Sequence, residues 1–358
     1  MKRRYRLARD VHGWAGAVLS ALLCAIALTG TLLVFKSDYL RATLPAAAQS
    51  ADLSVEALAR VTERAEDVFG AELRVLVYAD ETLGVHRAYL TNGRSVYLDG
   101  SGRVVARWDE NGRFEDWLFD LHHRLLLGDL GLLIAGLGGL AASGLVLTGL
   151  YAVWPMRLGL RRGLRITRAT RQQLRSLHRN LGVMVAAPAL LFLSTGAVLS
   201  FPAESRALFD LFGGSDAVVE TGVPSPIGWS DRLTVARQVF PTAEPRMAIW
   251  PRGDTPASLR LRQPEEWHPN GRTSVAFGPD GVVGRDALSE GVGRQTFNAV
   301  YPLHAAKIGG GIYKWMTALS GLGIAALSLL GLFSFAKRFG LSGIRRPVPL
   351  RQAHEPDL

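Results

Sequence analysis

Four stretches of the chain carry no charged side chain: residues 11–35, 130–156, 180–203 and 315–336. At ~1.5 Å of rise per residue, each is long enough to cross a hydrocarbon layer about 30 Å thick, so the pattern predicts four transmembrane helices. The polar stretches between them change period. Residues 54–69 have acidic and basic faces at helical spacing and precede shorter strand-like runs at 73–78 and 85–90. A second run, 231–240, precedes strand-like runs at 246–250 and 258–262. "SVYLDGSGRVV" from Ser95 and "SVAFGPDGVV" from Ser274 both read as strand, glycine turn, strand.

The net charge of +10 first suggests a nucleic-acid partner, but its distribution argues for a membrane instead. Lys2, Arg3, Arg4, Arg6 and Arg9 precede the first span. Eight arginines and no acid occupy 157–179, and Lys337, Arg338, Arg345, Arg346 and Arg351 follow the last span. These segments share one side of a four-span protein, and the positive-inside rule makes that side cytoplasmic. The long loops are acidic to neutral and lie outside. The resulting division is a cytoplasmic N-terminus 1–10, spans 11–35, 130–156, 180–203 and 315–336, outer domains 36–129 and 204–314, a basic cytoplasmic loop 157–179 and a cytoplasmic tail 337–358. A basic start, an apolar run and small residues at 45–48 also describe a secretory signal peptide. The first apolar run, however, exceeds the usual signal core of about 7–15 residues, so it is expected to stay as a span. Cys24, the only cysteine, permits neither an intramolecular disulfide nor a thiolate-only metal site and reads as a small apolar residue of the first span.

The chain also repeats itself. A shift of 166 carries His12, Gly16 and Gly30 onto His178, Gly182 and Gly196, and a shift of 182 carries His122, Gly128 and Gly149 onto His304, Gly310 and Gly331. The expected architecture is therefore an internally duplicated, all-α four-helix transmembrane bundle with two small α+β domains on its outer side.

That repeat delivers one histidine pair to each membrane surface. His12 and His178 open the outward-running first and third spans; His122 and His304 open the inward-running second and fourth. Neutral imidazole is a common axial ligand of haem iron, and two per iron leave no open position for small-molecule chemistry. The pairs therefore point to two bis-histidine b-type haems and electron transfer. His123 has no equivalent in the other half, where Ala305 follows His304, so His122 is the expected ligand. Two other readings stand beside this one: interfacial or capping histidines, and bare metal sites completed by Asp10 or Asp120. Glycines in all four spans suit close approach of a flat macrocycle, and equally plain helix packing. Arg9, Arg175 and Arg179 are placed for the propionates of the inner haem, and Arg124, Lys307 and Lys314 for the outer one, with lipid headgroups as the other partner. Trp108, Trp117, Trp250, Trp267 and Trp315 read as core or interface anchors, or as an outer acceptor surface. Pro188 is a candidate kink in the third span.

"RDVHGWAG", "LHHRLLLGDLG", "LTGLYAVWP", "RSLHRNLG" and "PLHAAKIGGG", in that order over nearly the whole chain, resemble the PepSY-associated transmembrane helix family, which includes PiuB-type iron-regulated membrane proteins and FoxB-type siderophore reductases. The resemblance implies a multi-pass bacterial inner-membrane protein with both termini cytoplasmic. Its periplasmic PepSY-like domains would stand above a dihaem bundle that reduces ferric siderophores, with His12 and His178, and His122 and His304, as axial ligands. The sequence does not name the electron donor: a quinol, a flavoprotein or a reduced nucleotide acting through a cytoplasmic partner all stay open, and no binding motif for any of them is visible. Two alternatives keep other parts of the pattern: a b-type cytochrome shuttle to another periplasmic acceptor, and a non-redox, membrane-anchored PepSY binding or regulatory protein. No nucleotide-binding loop or nucleophile pattern appears, since "GLGG" at 136–139 lies inside a span.

Overall fold

The computed structural model describes residues 2–153 and 170–338. The first half runs through helices α1 (Lys2–Leu33), α2 (Lys36–Thr43) and α3 (Val55–Phe69), strands β1 (Leu73–Val77), β2 (His86–Leu90), β3 (Ser95–Leu98) and β4 (Val104–Trp108), then α4 (Phe114–Arg124) and α5 (Gly128–Val153). The second half follows nearly the same order: α6 (Arg171–Ser200), α7 (Pro202–Asp210), β5 (Val218–Glu220), α8 (Trp229–Val239), β6 (Glu244–Ile249), β7 (Ala257–Arg262), β8 (Thr273–Gly278), β9 (Gly281–Arg285), α9 (Val292–His304) and α10 (Gly310–Arg338). The basic loop falls mostly outside the described residues, as does the tail beyond Arg338.

Helices α1, α5, α6 and α10 are each long and apolar enough to span a membrane. They form a ring in which α1 packs on α10 and α5, and α6 packs on α5 and α10. Large apolar side chains such as Trp14, Leu137, Met184 and Leu319 point away from the bundle, whereas Ala142, Ala186, Ala197 and Ala325 are buried between its helices. This inversion suits a lipid solvent, where small residues let backbones approach. Helix α1 begins well before residue 11 and α6 well before residue 180. Long basic side chains extend a spanning helix into the headgroup region without placing charge in hydrocarbon. Pro188 lies within α6 without ending it.

Two expectations need correction. His122 and His304 do not open spanning helices. They lie in the last turns of the separate short helices α4 and α9. The chain then reverses through residues of positive φ, Leu125 (53°) and Leu126 (60°) in one half and Ala306 (51°) in the other, before Gly128 and Gly310 start the spans. Non-glycine residues in that region carry strain that surrounding structure must hold.

The second correction concerns the sheet-bearing part, which is one unit rather than two small domains. β1 pairs antiparallel with β6, Leu76 opposite Ala248, and so joins both halves into a nine-stranded sheet of order β4-β3-β2-β1-β6-β7-β8-β9-β5. Alternating residues of both halves, including Leu76, Ala88, Val96, Leu259 and Val275, share one core with Leu58 and Val61 of α3 and Trp229 and Leu233 of α8. The Glu66 carboxylate of α3 accepts hydrogen bonds from Trp229 Nε1 (3.3 Å) and Trp250 Nε1 (2.8 Å), tying the halves again. On the opposite face of the sheet, Tyr97 and Trp108 pack with Leu40 and Leu44, in the segment that leaves α1. That face is turned toward the bundle.

A shared core predicts shared failure. Leu76→Ala is expected to cost about 2–5 kcal/mol and to speed amide exchange in β2–β3 and β7–β8 alike. Acceleration confined to the first half would contradict the single core. His86, fully buried, accepts the Ala79 N–H at Nδ1 (3.1 Å), and burial holds its pKa down at about 4 against 6.5. The unfolded chain therefore binds the proton first as pH falls, so this contribution is complete above about 6.5 and lost toward pH 4. Melting temperature in detergent should fall less over that interval for His86→Leu than for the unaltered chain.

Candidate functional site

The histidines meet across the diagonals of the helical ring. His12 of α1 faces His178 of α6 with ring centroids 6.0 Å apart and planes at 69°, and His122 faces His304 at 6.2 Å and 41°. Two imidazoles on opposite sides of one metal ion, at about 2 Å per metal–nitrogen bond, stand roughly 6 Å apart centre to centre. His122 rather than His123 makes this pair; His123 stacks on Phe119 instead.

Each ring is held the same way. His12 Nδ1 donates to the Leu145 carbonyl of α5 (3.0 Å), His122 Nδ1 to Ile26 of α1 (2.9 Å) and His178 Nδ1 to Leu327 of α10 (3.1 Å). His304 engages the Phe192 carbonyl of α6. Threonine hydroxyls accept from three of the rings as well: Thr148 for His12 (3.4 Å), Thr29 for His122 (3.2 Å) and Thr195 for His304 (3.0 Å). With the proton fixed on Nδ1, Nε2 keeps its lone pair, as a metal-ligating imidazole requires.

A helical side chain leans over the turn preceding it, so residue i+4 normally shields the carbonyl of residue i. The four residues at i+4 here are Gly149, Gly30, Gly331 and Gly196. A Cβ on Gly30 would lie 2.7 Å from His122 Cε1, one on Gly149 3.0 Å from His12, one on Gly196 3.1 Å from His304 and one on Gly331 3.4 Å from His178. These glycines thus make room for histidine rings, not for a macrocycle as such. Gly138, Gly139, Gly321 and Gly323 serve helix contacts, where an added Cβ would meet a residue of a neighbouring helix at 2.2–3.1 Å. A third group is open: nothing lies within 4 Å of a Cβ built on Gly13 or Gly16, and only Leu327 Cδ2, at 3.7 Å, on Gly182.

Those three glycines line a cavity of about 1230 Å³ beside His12 and His178. Arg9, Arg175 and Arg179 line it too, joined by Arg6 and Arg338, which sequence reasoning did not assign. Arg179 Nε donates to Asn180 (3.2 Å), and Arg338 reaches Asp10 at 3.4 Å. At the sheet end, Arg124 closes α4 two residues after His122, Lys307 lies three residues after His304, and Lys314 pairs with Asp38. Asp120 accepts from Asn111 (3.1 Å). Among the described residues no three His, Cys, Asp or Glu side chains converge as a directly held metal ion would need. Of the tryptophans, Trp108 donates to Asp116 (2.8 Å) and Trp315 packs on Phe35, while Trp117 and Trp267 are exposed.

His122 touches α1 at Ile26 and Gly30. Counted along α1 from His12, that is roughly 21–27 Å at ~1.5 Å per residue, so the two pairs stand near opposite boundaries of a hydrocarbon layer.

Four apolar helices, histidine pairs between them and a sheet at one end define a multi-pass membrane protein. The chain belongs to the PepSY-associated TM region family, whose profile matches residues 9–338. No curated protein matches the sequence at a significant level.

The two kinds of glycine should separate in stability. Gly30→Ala is expected to cost about 1–3 kcal/mol because His122 must move, whereas Gly16→Ala in the unliganded protein should stay within about 0.5 kcal/mol. Thermal unfolding in detergent measures both, and equal losses would undo the assignment of glycine roles.

Proposed function

We propose that the chain holds two b-type haems, one between His12 and His178 and one between His122 and His304, and passes electrons across the membrane to ferric siderophores on the sheet side. The observation that carries this reading is the pair of cross-bundle histidine sets, each about 6 Å apart with Nδ1 tied to a backbone carbonyl. Haem supplies reversible one-electron chemistry at iron. His12 with His178 and His122 with His304 would hold it, each imidazole fixed in tautomer and aim by its carbonyl partner. Arg6, Arg9, Arg175, Arg179 and Arg338 are suited to receive carboxylates at the open end of the cavity.

The basic ends of the bundle face the cytoplasm in this reading, and the sheet stands in the periplasm of a bacterial inner membrane. Electrons enter from a quinol or a cytoplasmic donor at the arginine end. One electron converts chelated ferric iron to ferrous iron, which oxygen-rich chelators hold less strongly because of its lower charge. The recurring element order is read as an internal duplication, in which each half supplies one histidine to each site.

Purified protein should show about two low-spin haems per chain in a reduced-minus-oxidised spectrum, and ferric siderophore should reoxidise the reduced form. His178→Ala is expected to lose the arginine-end haem and keep the other, and His304→Ala the reverse. Both haems surviving in either variant would refute the ligand assignment.

A further inference from the structure

The bundle-facing side of the sheet carries positive charge that no step so far uses. In β7, Leu259 and Leu261 enter the shared core, so Arg260 between them points to the opposite face. Arg260 pairs in register with Ser274 of β8, and Arg272 lies two residues before Ser274. The two arginines are therefore diagonal neighbours on one face, at a separation of roughly 7–8 Å. Both are half-buried. Burial and the adjacent Arg260 guanidinium push Arg272 down to about 10, which leaves it charged at neutral pH.

The nearby carboxylates Glu266 and Glu290 offset part of this charge, and Arg206 adds to it, so the cluster keeps an excess of positive charge. Glu266 accepts the backbone N–H groups of Gln263 (3.0 Å), Thr273 (3.3 Å) and Arg272, and Glu290 accepts from Asn298 (3.0 Å). Arg272 Nε is buried and has no hydrogen-bond partner among the described residues. His268 packs beside Tyr301 at 5.0 Å between ring centroids, and burial with the two arginines holds it near 3, so it stays neutral. Tyr301 lies in α9, one turn before His304. The partly exposed Tyr89 shares this face, and the Arg87 guanidinium lies 4.5 Å from its ring centre.

We propose that Arg260, Arg272 and Tyr301 form an oxyanion site under the sheet, next to the His122–His304 pair, that selects negatively charged ferric chelates over neutral ones. This deepens the reductase reading and rests on it for the identity of the ligand. Partly desolvated guanidiniums favour carboxylate or catecholate oxygens through charge-assisted hydrogen bonds, and a neutral chelate does not answer the excess of arginine over Glu266 and Glu290.

Gallium(III) chelates test the site without any electron transfer. Calorimetric titration of the full-length protein in detergent should show a trianionic gallium tris-catecholate binding roughly tenfold or more tighter than a neutral gallium tris-hydroxamate at low salt, with the preference shrinking as salt rises. The double variant Arg260→Gln, Arg272→Gln should bring the two chelates within about twofold, and Arg260→Lys, Arg272→Lys should keep much of the difference. Equal binding by the unaltered protein, or an undiminished preference in the glutamine variant, overturns the proposal. So does loss of the sheet-end haem with the preference intact, which would assign the arginines to haem carboxylates instead. Because gallium is not reduced, these outcomes are independent of whether ferric siderophore reoxidises the protein.

Discussion

The tether from a histidine Nδ1 to a carbonyl of the neighbouring helix organises the rest of the bundle. Within each half the tether is reciprocal: α1 sends His12 to α5 and receives His122, and α6 sends His178 to α10 and receives His304. An imidazole in a low-dielectric interior is tolerated when it is neutral and its N–H is paired. The carbonyl that pairs it already closes a helical hydrogen bond, so a second donor must approach from the side, and only a glycine one turn later leaves that side open. One local device therefore sets tautomer, ring direction and helix spacing together. The two halves then meet ring to ring across the bundle, His12 beside His178 and His122 beside His304, so each pair draws one histidine from each half.

The sheet adds a second constraint, which acts on one site only. His122 and His304 sit at the ends of α4 and α9, and each of those helices leads from the last sequential strand of its half to a spanning helix. Pairing of β1 with β6 fixes one set of strands against the other, and through them the approach of α4 to α9. The His12–His178 pair depends on the four long helices alone. The sheet-end pair is thus coupled to the sheet unit, while the arginine-end pair is not.

Much of this was legible in the sequence because it is local or periodic. Charge-free runs announce spans, arginine counts order them, and a constant shift links His12 to His178 and His122 to His304 together with Gly30, Gly149, Gly196 and Gly331. The threonine before three of those glycines was equally visible and went unread, because its meaning depends on a ring arriving from another helix. Arg6 and Arg338 escaped for a similar reason: nothing in a basic run says which member lines a cavity. The merger of two expected domains into one sheet was not legible, since β1 and β6 lie far apart in the chain and strand composition does not name a partner. The short helices α4 and α9 were hidden because the turns after them rely on positive φ at Leu125, Leu126 and Ala306, which are not turn-forming residues.

Helix α1 also acts as the ruler of the assembly. It carries His12 near one end and receives His122 near the other, so the distance between the sites is a count of residues along one continuous helix rather than a sum of loop geometries. Helix α6 does the same with His178 and His304. Two parallel rulers of nearly equal length keep the sites level with each other: Ile26 follows His12 by as many residues as Phe192 follows His178. In the proposed electron-transfer reading, a hydrocarbon layer about 30 Å thick is wider than any one planar group held between two imidazoles, and two stations would be needed to cross it. The equal spacing of the tethers on α1 and α6 would set both at matching depths.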